Sequence, residues 1–279
     1  MLKPILIVTA VLLVGAIASA YLSYRRASGE AEQAMTSIAA RAAKPLGLFD
    51  ESMVEGLPEI ARRYFKHAIE PGTLLYTSVR LEMSGTFLLG DKSSYRTYSM
   101  TARQMLTPPS EFVWIPSMQS GMMQISGSDA LVQGKSWTRF WINGLVPVVN
   151  QMASPDLNRS ALTRAAMEAI WVPASLLPGT GVTWEQTGPD TARLTFPTGI
   201  EPIDLTLGAS GNVLNIATLR WSDANPDKTF QLQPFGGTML AETTFEGFTI
   251  PTDIRVGNHF GTGNYLPFFQ AHVTLAQYL

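Results

Sequence analysis

From Pro4 to Tyr24 the chain runs 21 residues without a charge, flanked by Lys3 on one side and Arg25 and Arg26 on the other. About 20 apolar helical residues at ~1.5 Å each cross the ~30 Å hydrocarbon core of a bilayer. The run therefore predicts a membrane helix and leaves the rest of the chain to fold outside the lipid. A secretory signal is the rival reading: Lys3 gives a charged start, Ile5 to Ile17 a short apolar core, and Ala18-Ser19-Ala20 a small-x-small cleavage pattern. Apolar character that continues through Tyr21, Leu22 and Tyr24 favours an uncleaved anchor, with Tyr21 and Tyr24 where an interfacial aromatic belt would lie. Lys3 and the amino terminus stand against Arg25 and Arg26, nearly balanced under the positive-inside rule. The expected location is the cell membrane, single-pass, with the body outside the cytoplasm, where an N-in anchor and a signal agree.

Removing Lys3, Arg25 and Arg26 from the 20 basic residues leaves 17 against 22 acidic ones, a mildly acidic body with no basic cluster and no nucleic-acid motif. The chain has no cysteine, which excludes disulfides, zinc-thiolate sites and thiol nucleophiles. Its three histidines, His67, His259 and His272, have no ligand-pair spacing, so no metal and no other cofactor is expected.

Residues 27–50 read as a stalk, with a helix over 31–43. A second helix starts at Pro58-Glu59 and carries Ile60, Tyr64 and Ala68 on one stripe before Pro71-Gly72 ends it. Then the period changes to two: Val79, Leu81 and Met83 alternate with Arg80, Glu82 and Ser84. Further strands are expected at 95–104, at 111–115 up to Pro116, and at 135–140. Residues 122–126 and 130–133 are expected to form a hairpin about Gly127-Ser128-Asp129. Residues 143–178 read as a helical interlude, capped at Ser154-Pro155-Asp156. Strands return at 183–186, 192–196, 203–207, 213–221, 238–248, 253–258 and 272–277. Strands, then helices, then closely spaced strands argue an antiparallel α+β fold. The expectation is one curved, mostly antiparallel sheet, a half-barrel, with helices on its concave face, preceded by one transmembrane helix. The chain divides into residues 1–26 as anchor or signal peptide, 27–50 as stalk and 51–279 as a single body.

Chemistry is sparse. A nucleophile elbow and a P-loop are absent, and Gly261-Thr262-Gly263 is too short for a dinucleotide fingerprint. Glu242 and Glu246 share a strand face by spacing, a face read as solvated rather than as a catalytic carboxylate pair. Glu168 lies in an otherwise apolar helix beside Trp171, with Arg164 one turn earlier; an ion pair and a polar point inside a ligand cavity are both open to it. Seven of the twelve methionines fall between residues 100 and 167, and Trp114, Trp137, Trp141 and Trp171 lie in the same region. Such a mixture suits either ordinary core packing or a wall that accepts varied apolar shapes.

Residues 164–184, with Leu57, Pro58, Arg63 and Tyr64 upstream, resemble an uncharacterised bacterial domain-of-unknown-function family whose members carry an N-terminal membrane helix, an LPxxxxRY start and an ExxWxPxxLLP centre. Glu168, Trp171, Pro173, Leu176, Leu177 and Pro178 match the centre; Gln104, Phe112-Val113-Trp114 and Ile250-Pro251-Thr252 fit its strand regions. This resemblance implies no activity. The order of elements is also similar to periplasmic lipoprotein carriers, half-barrels that shelter acyl chains, which implies function only by analogy. The expected function is a membrane-anchored, non-catalytic binding protein for a lipid or another apolar ligand. Its wall is expected to use Phe112, Trp114, Met122 and Trp171, with Arg164 and Glu168 as polar anchors. A scaffold for another envelope protein and a carboxylate hydrolase are the alternatives.

Overall fold

A computed structural model describes residues 2–197 and 199–279, with side chains from residue 7 onward except those of residues 8 and 10. The first element is one uninterrupted helix, α1 (Leu2–Ala40). Part of the expected span, the side chains of residues 4–6, 8 and 10, lies outside the described residues; among the described residues no helix is long and apolar enough to cross a membrane. Past the uncharged run α1 lies against the body. Ala31, Met35 and Ile38, spaced one helical turn apart, pack on Met105, Val113 and Ala130. The helical part of the expected stalk is thus docked on the sheet.

Helix α2 (Glu59–Ala68) follows Pro58, whose fixed φ suits a helix start, and buries Ile60, Ala61, Tyr64, Phe65 and Ala68. Then come β1 (Val79–Gly90), β2 (Tyr95–Thr107), β3 (Glu111–Ser120), β4 (Met123–Val132), β5 (Lys135–Ile142) and β6 (Val146–Met152). Helix α3 (Pro155–Met167) and two short 3-10 helices, Glu168–Trp171 and Pro173–Leu176, lead to β7 (Thr183–Gln186). The rest is strand: β8 (Thr191–Thr195), β9 (Ile203–Leu207), β10 (Val213–Ser222), β11 (Gln231–Phe245), β12 (Phe248–Asn258) and β13 (Leu266–Tyr278).

All thirteen strands form one curved antiparallel sheet in the order β6-β5-β4-β3-β2-β1-β13-β12-β11-β10-β9-β8-β7. It is two meanders joined where β13 pairs with β1, from Val79 opposite Tyr278 to Phe87 opposite Phe269. The registers slip in β1, β10, β11 and β12, and such bulges bend strands and increase their twist. Because β6 and β7 are opposite edges, the chain between them must cross a whole face. That crossing is α3 with the two 3-10 helices, and it roofs the inner face.

Four expectations are corrected. Gly127-Ser128-Asp129 is no turn: β4 runs through it, and glycine is needed because a Cβ there would come within 1.9 Å of the Arg139 carbonyl oxygen on β5. Pro116 does not end β3, which continues to Ser120. Residues 146–152 form an edge strand, where Pro147 is tolerated, and helix begins only at Pro155. The expected strand 238–248 is two strands, reversed at Glu246 (φ 50°) and Gly247 (φ 87°), a two-residue hairpin turn with both central residues left-handed. Glu246 therefore shares no strand face with Glu242.

Candidate functional site

Between the inner face and α3 lies a cavity of about 590 Å³. The sheet supplies most of its wall through alternate residues, such as Ile254 and Val256 of β12 or Phe140 and Ile142 of β5. Aromatic rings form a continuous side: Phe87 meets Phe268 at 5.3 Å between centroids, and Trp114 meets Phe269 at 5.9 Å and Phe140 at 6.3 Å. Met118, Met123, Met167 and Met239 add flexible, polarisable surface. A volume of this order falls within the ~300–1,000 Å³ of small-molecule sites.

The roof is pinned on both sides, which keeps the space from closing. Ser154 caps α3 by accepting from the Leu157 N–H at 3.1 Å. Trp221 Nε1 on β10 donates to Asp156 at 2.8 Å, and Arg159 lies over the Trp221 ring at 4.3 Å. Trp171 Nε1 donates to the Pro251 carbonyl of β12 at 2.9 Å, and the Tyr278 hydroxyl donates to the Trp171 carbonyl at 3.0 Å.

Arg164 is the centre of a charged trio in the cavity wall. Its Nε donates to Glu168 Oε1 at 2.8 Å and its Nη1 to Asp129 Oδ2. The guanidinium rests 4.4 Å from the centroid of Phe112 and 5.2 Å from that of Trp114. The remaining oxygens are also taken: Gln104 Nε2 donates to Glu168 Oε2, and Thr138 Oγ1 donates to Asp129 Oδ1 at 2.7 Å. Burial opposes the charge on Arg164, but the two carboxylates outweigh it and hold its pKa above the ordinary value. With all four carboxylate oxygens engaged, this arrangement ties α3 to β4 and the Glu168 turn to β2. It offers no idle carboxylate for proton transfer.

A fourth charge stands apart. Arg220 of β10 also lines the cavity. Its guanidinium lies 4.8 Å from the Phe235 centroid and makes no hydrogen bond or ion pair among the described residues. Burial and the nearby Arg164 cation pull its pKa down to about 10, against the opposing charges of Asp129, Glu168 and Asp223.

Of the six residues expected at the site, Trp114, Arg164, Glu168 and Trp171 line the cavity. Phe112 is wholly buried beneath Arg164 and outside the lining. Met122 is 96% exposed in the β3–β4 turn, and the adjacent Met123 faces inward instead. Asp129, Arg220, Phe235 and the β12–β13 residues are contributors the sequence reading missed. Strand parity was the signal for Arg220, since Ile216, Thr218 and Arg220 follow one another on the inward side of β10.

A search of curated proteins gives no match to this chain. Among solved structures it is similar to a LolA superfamily protein from Nitrosomonas europaea, at 8% identity and TM-score 0.41 over 79% of this chain and 92% of that one. It is similar to a domain from Vibrio parahaemolyticus named for outer-membrane lipoprotein sorting, at 9% identity and TM-score 0.38 over 79% and 91%. A DUF1329 family protein from Desulfovibrio piger aligns at 8% identity and TM-score 0.39 over 79% and 90%. A family model covers residues 47–271, from the segment before α2 into β13, and by that match the chain belongs to the family of unknown function DUF6544.

Proposed function

We propose that this protein is a membrane-anchored binding protein that holds a lipid or another apolar ligand beneath α3 without acting on it chemically. The observation that carries the reading is the cavity of about 590 Å³, walled by aromatic, aliphatic and methionine side chains and held open by a pinned roof. A wall of this kind rewards apolar surface by removing it from water. The few polar groups in it suit orientation of a ligand more than catalysis.

The path of α1 supports a place beside the bilayer. Tyr24, where the uncharged run ends, packs on Trp141 at 5.7 Å and accepts from Ser126 Oγ at 3.2 Å. Farther on, Arg41 reaches Glu111 at the other end of β3. The apolar part of α1 therefore leaves the body at the sheet end bearing the 121–122 and 143–145 turns. The exposed lining residues Leu89 and Val148 lie at that end as well. A mouth there would face the lipid and take its ligand from it directly, with the body outside the cytoplasm.

The full chain, recovered from membranes, should resist an alkaline carbonate wash and carry an extractable amphiphile in near-molar amount. Val256→Trp, which fills the cavity, should lower that amount severalfold. Release by carbonate would sink the anchor, and a washed protein free of amphiphile would sink the ligand. The rival scaffolding role has one feature in its favour, the unpaired edge of β6 with Val146 and Met152 exposed.

A further inference from the structure

We infer that Arg220 holds the negatively charged head of a single-chain amphiphile, a carboxylate or phosphate, whose tail fills the cavity. This rests on the ligand-binding reading above and names the ligand's class. An arginine presents five N–H donors in a planar fork, and a buried one is ordinarily met by acceptors. Arg220 is met by none among the described residues, and its Nε is closed off from solvent.

The carboxylates closest in charge, Asp129 and Glu168, are not its partners. Each oxygen of both already accepts from Arg164, Thr138 or Gln104. The Phe235 face stabilises the cation but supplies no acceptor. Trp114 Nε1 is a second buried donor without a partner, on a residue that also lines the cavity. The wall therefore carries unmet donors while its carboxylate oxygens are engaged. An oxyanion would supply paired, charge-assisted bonds to the Arg220 fork, which the neighbouring carboxylates meet only through space. A cation or a neutral head would leave the fork unmet. At about 590 Å³ the space suits one chain of moderate length.

The test uses the full chain in phosphatidylcholine nanodiscs, with tryptophan fluorescence as readout because Trp114 and Trp171 line the cavity. The quenchers are 9,10-dibromostearate and the matching dibromostearyl alcohol, applied to the wild type and to Arg220→Met. The acid should bind the wild type at least tenfold more tightly than the alcohol. In Arg220→Met that gap should vanish while alcohol binding persists. Competition by stearate against octadecyl phosphate then tells carboxylate from phosphate. Equal binding of acid and alcohol by the wild type, or a gap that survives in Arg220→Met, would overturn the Arg220 assignment and leave an apolar cavity standing. Quenching by neither chain would overturn the ligand-binding reading itself. In ligand-free protein Arg220→Met should melt a few degrees higher, since it removes a part-buried cation that no hydrogen-bond acceptor meets. A lower melting temperature would make Arg220 a counter-ion of the Arg164 trio and defeat the proposal.

Discussion

On the outer face of the sheet the charges of α1 find partners: Glu30 binds Arg139 at 2.7 Å, Glu32 pairs with Arg103, and Arg41 binds Glu111 at 2.9 Å, while Ala31, Met35 and Ile38 close over Met105, Val113 and Ala130. On the inner face α3 is fixed at its margins, the space beneath it stays open, and Arg220 is left without an acceptor. One sheet thus carries a helix that is packed and a helix that is propped. The difference teaches where this fold closes its packing and where it leaves room. The outer contacts bury an apolar stripe of α1, and the inner ones hold a volume at a set size.

Three substitutions sharpen or break that contrast. The largest effect belongs to Arg164→Met, which strands Asp129 and Glu168 with no cation between them. Breaking a buried ion network in this way costs about 3–5 kcal/mol, measured by urea denaturation. A loss below about 1 kcal/mol would show that the trio does not pin the roof. Next comes a matched pair. Ile38→Ala on the outer face should cost about 2–4 kcal/mol, because a closed contact becomes a void. Ile254→Ala enlarges a space that already exists and should cost only about 1–2 kcal/mol. Equal losses would erase the distinction between the faces.

The smallest effect is a pH dependence of the α1 contact. Arg139 donates a hydrogen bond to Glu30 and holds its carboxyl below the usual carboxylate range. A depressed folded-state pKa adds stability that is present above the unfolded value of about 4.3 and lost as the pH falls through the folded value. Stability of the wild type should therefore drop more steeply below about pH 4.3 than that of Glu30→Gln. Parallel pH profiles would remove Glu30 from the account.

Much of this plan was legible in the chain. The stripe of Ile60, Tyr64 and Ala68 after Pro58 marks α2, and the alternation from Val79 marks β1, because periodicity reports which side of an element is buried. The roof was legible as well, in the Ser154-Pro155 cap that opens its helix. What stayed hidden depended on neighbours in space. Gly127 is a close-approach residue that imitates a turn, and reading it so concealed Asp129, the partner of Arg164. Met122 and Met123 are adjacent, and a shift of one residue sends a side chain from the cavity to solvent. Arg220 is left unmet because the Asp129 and Glu168 carboxylates are taken by donors from β2, β5 and α3, a juxtaposition no local pattern encodes.

The place of β13 has a consequence for how the molecule is assembled. Among the described residues it is the last strand in sequence, yet it sits in the middle of the sheet, and β1 and β12 are joined through it. A chain emerging from its start can zip up each meander from local hairpins, but the two halves stay separate sheets until residues 266–278 arrive to bridge them. That step must wait for a contact spanning nearly two hundred residues, which makes it the slow one. Until it happens Phe268 and Phe269 are missing and the wall is open along its length. The cavity is thus walled in only once β13 is in place between β1 and β12.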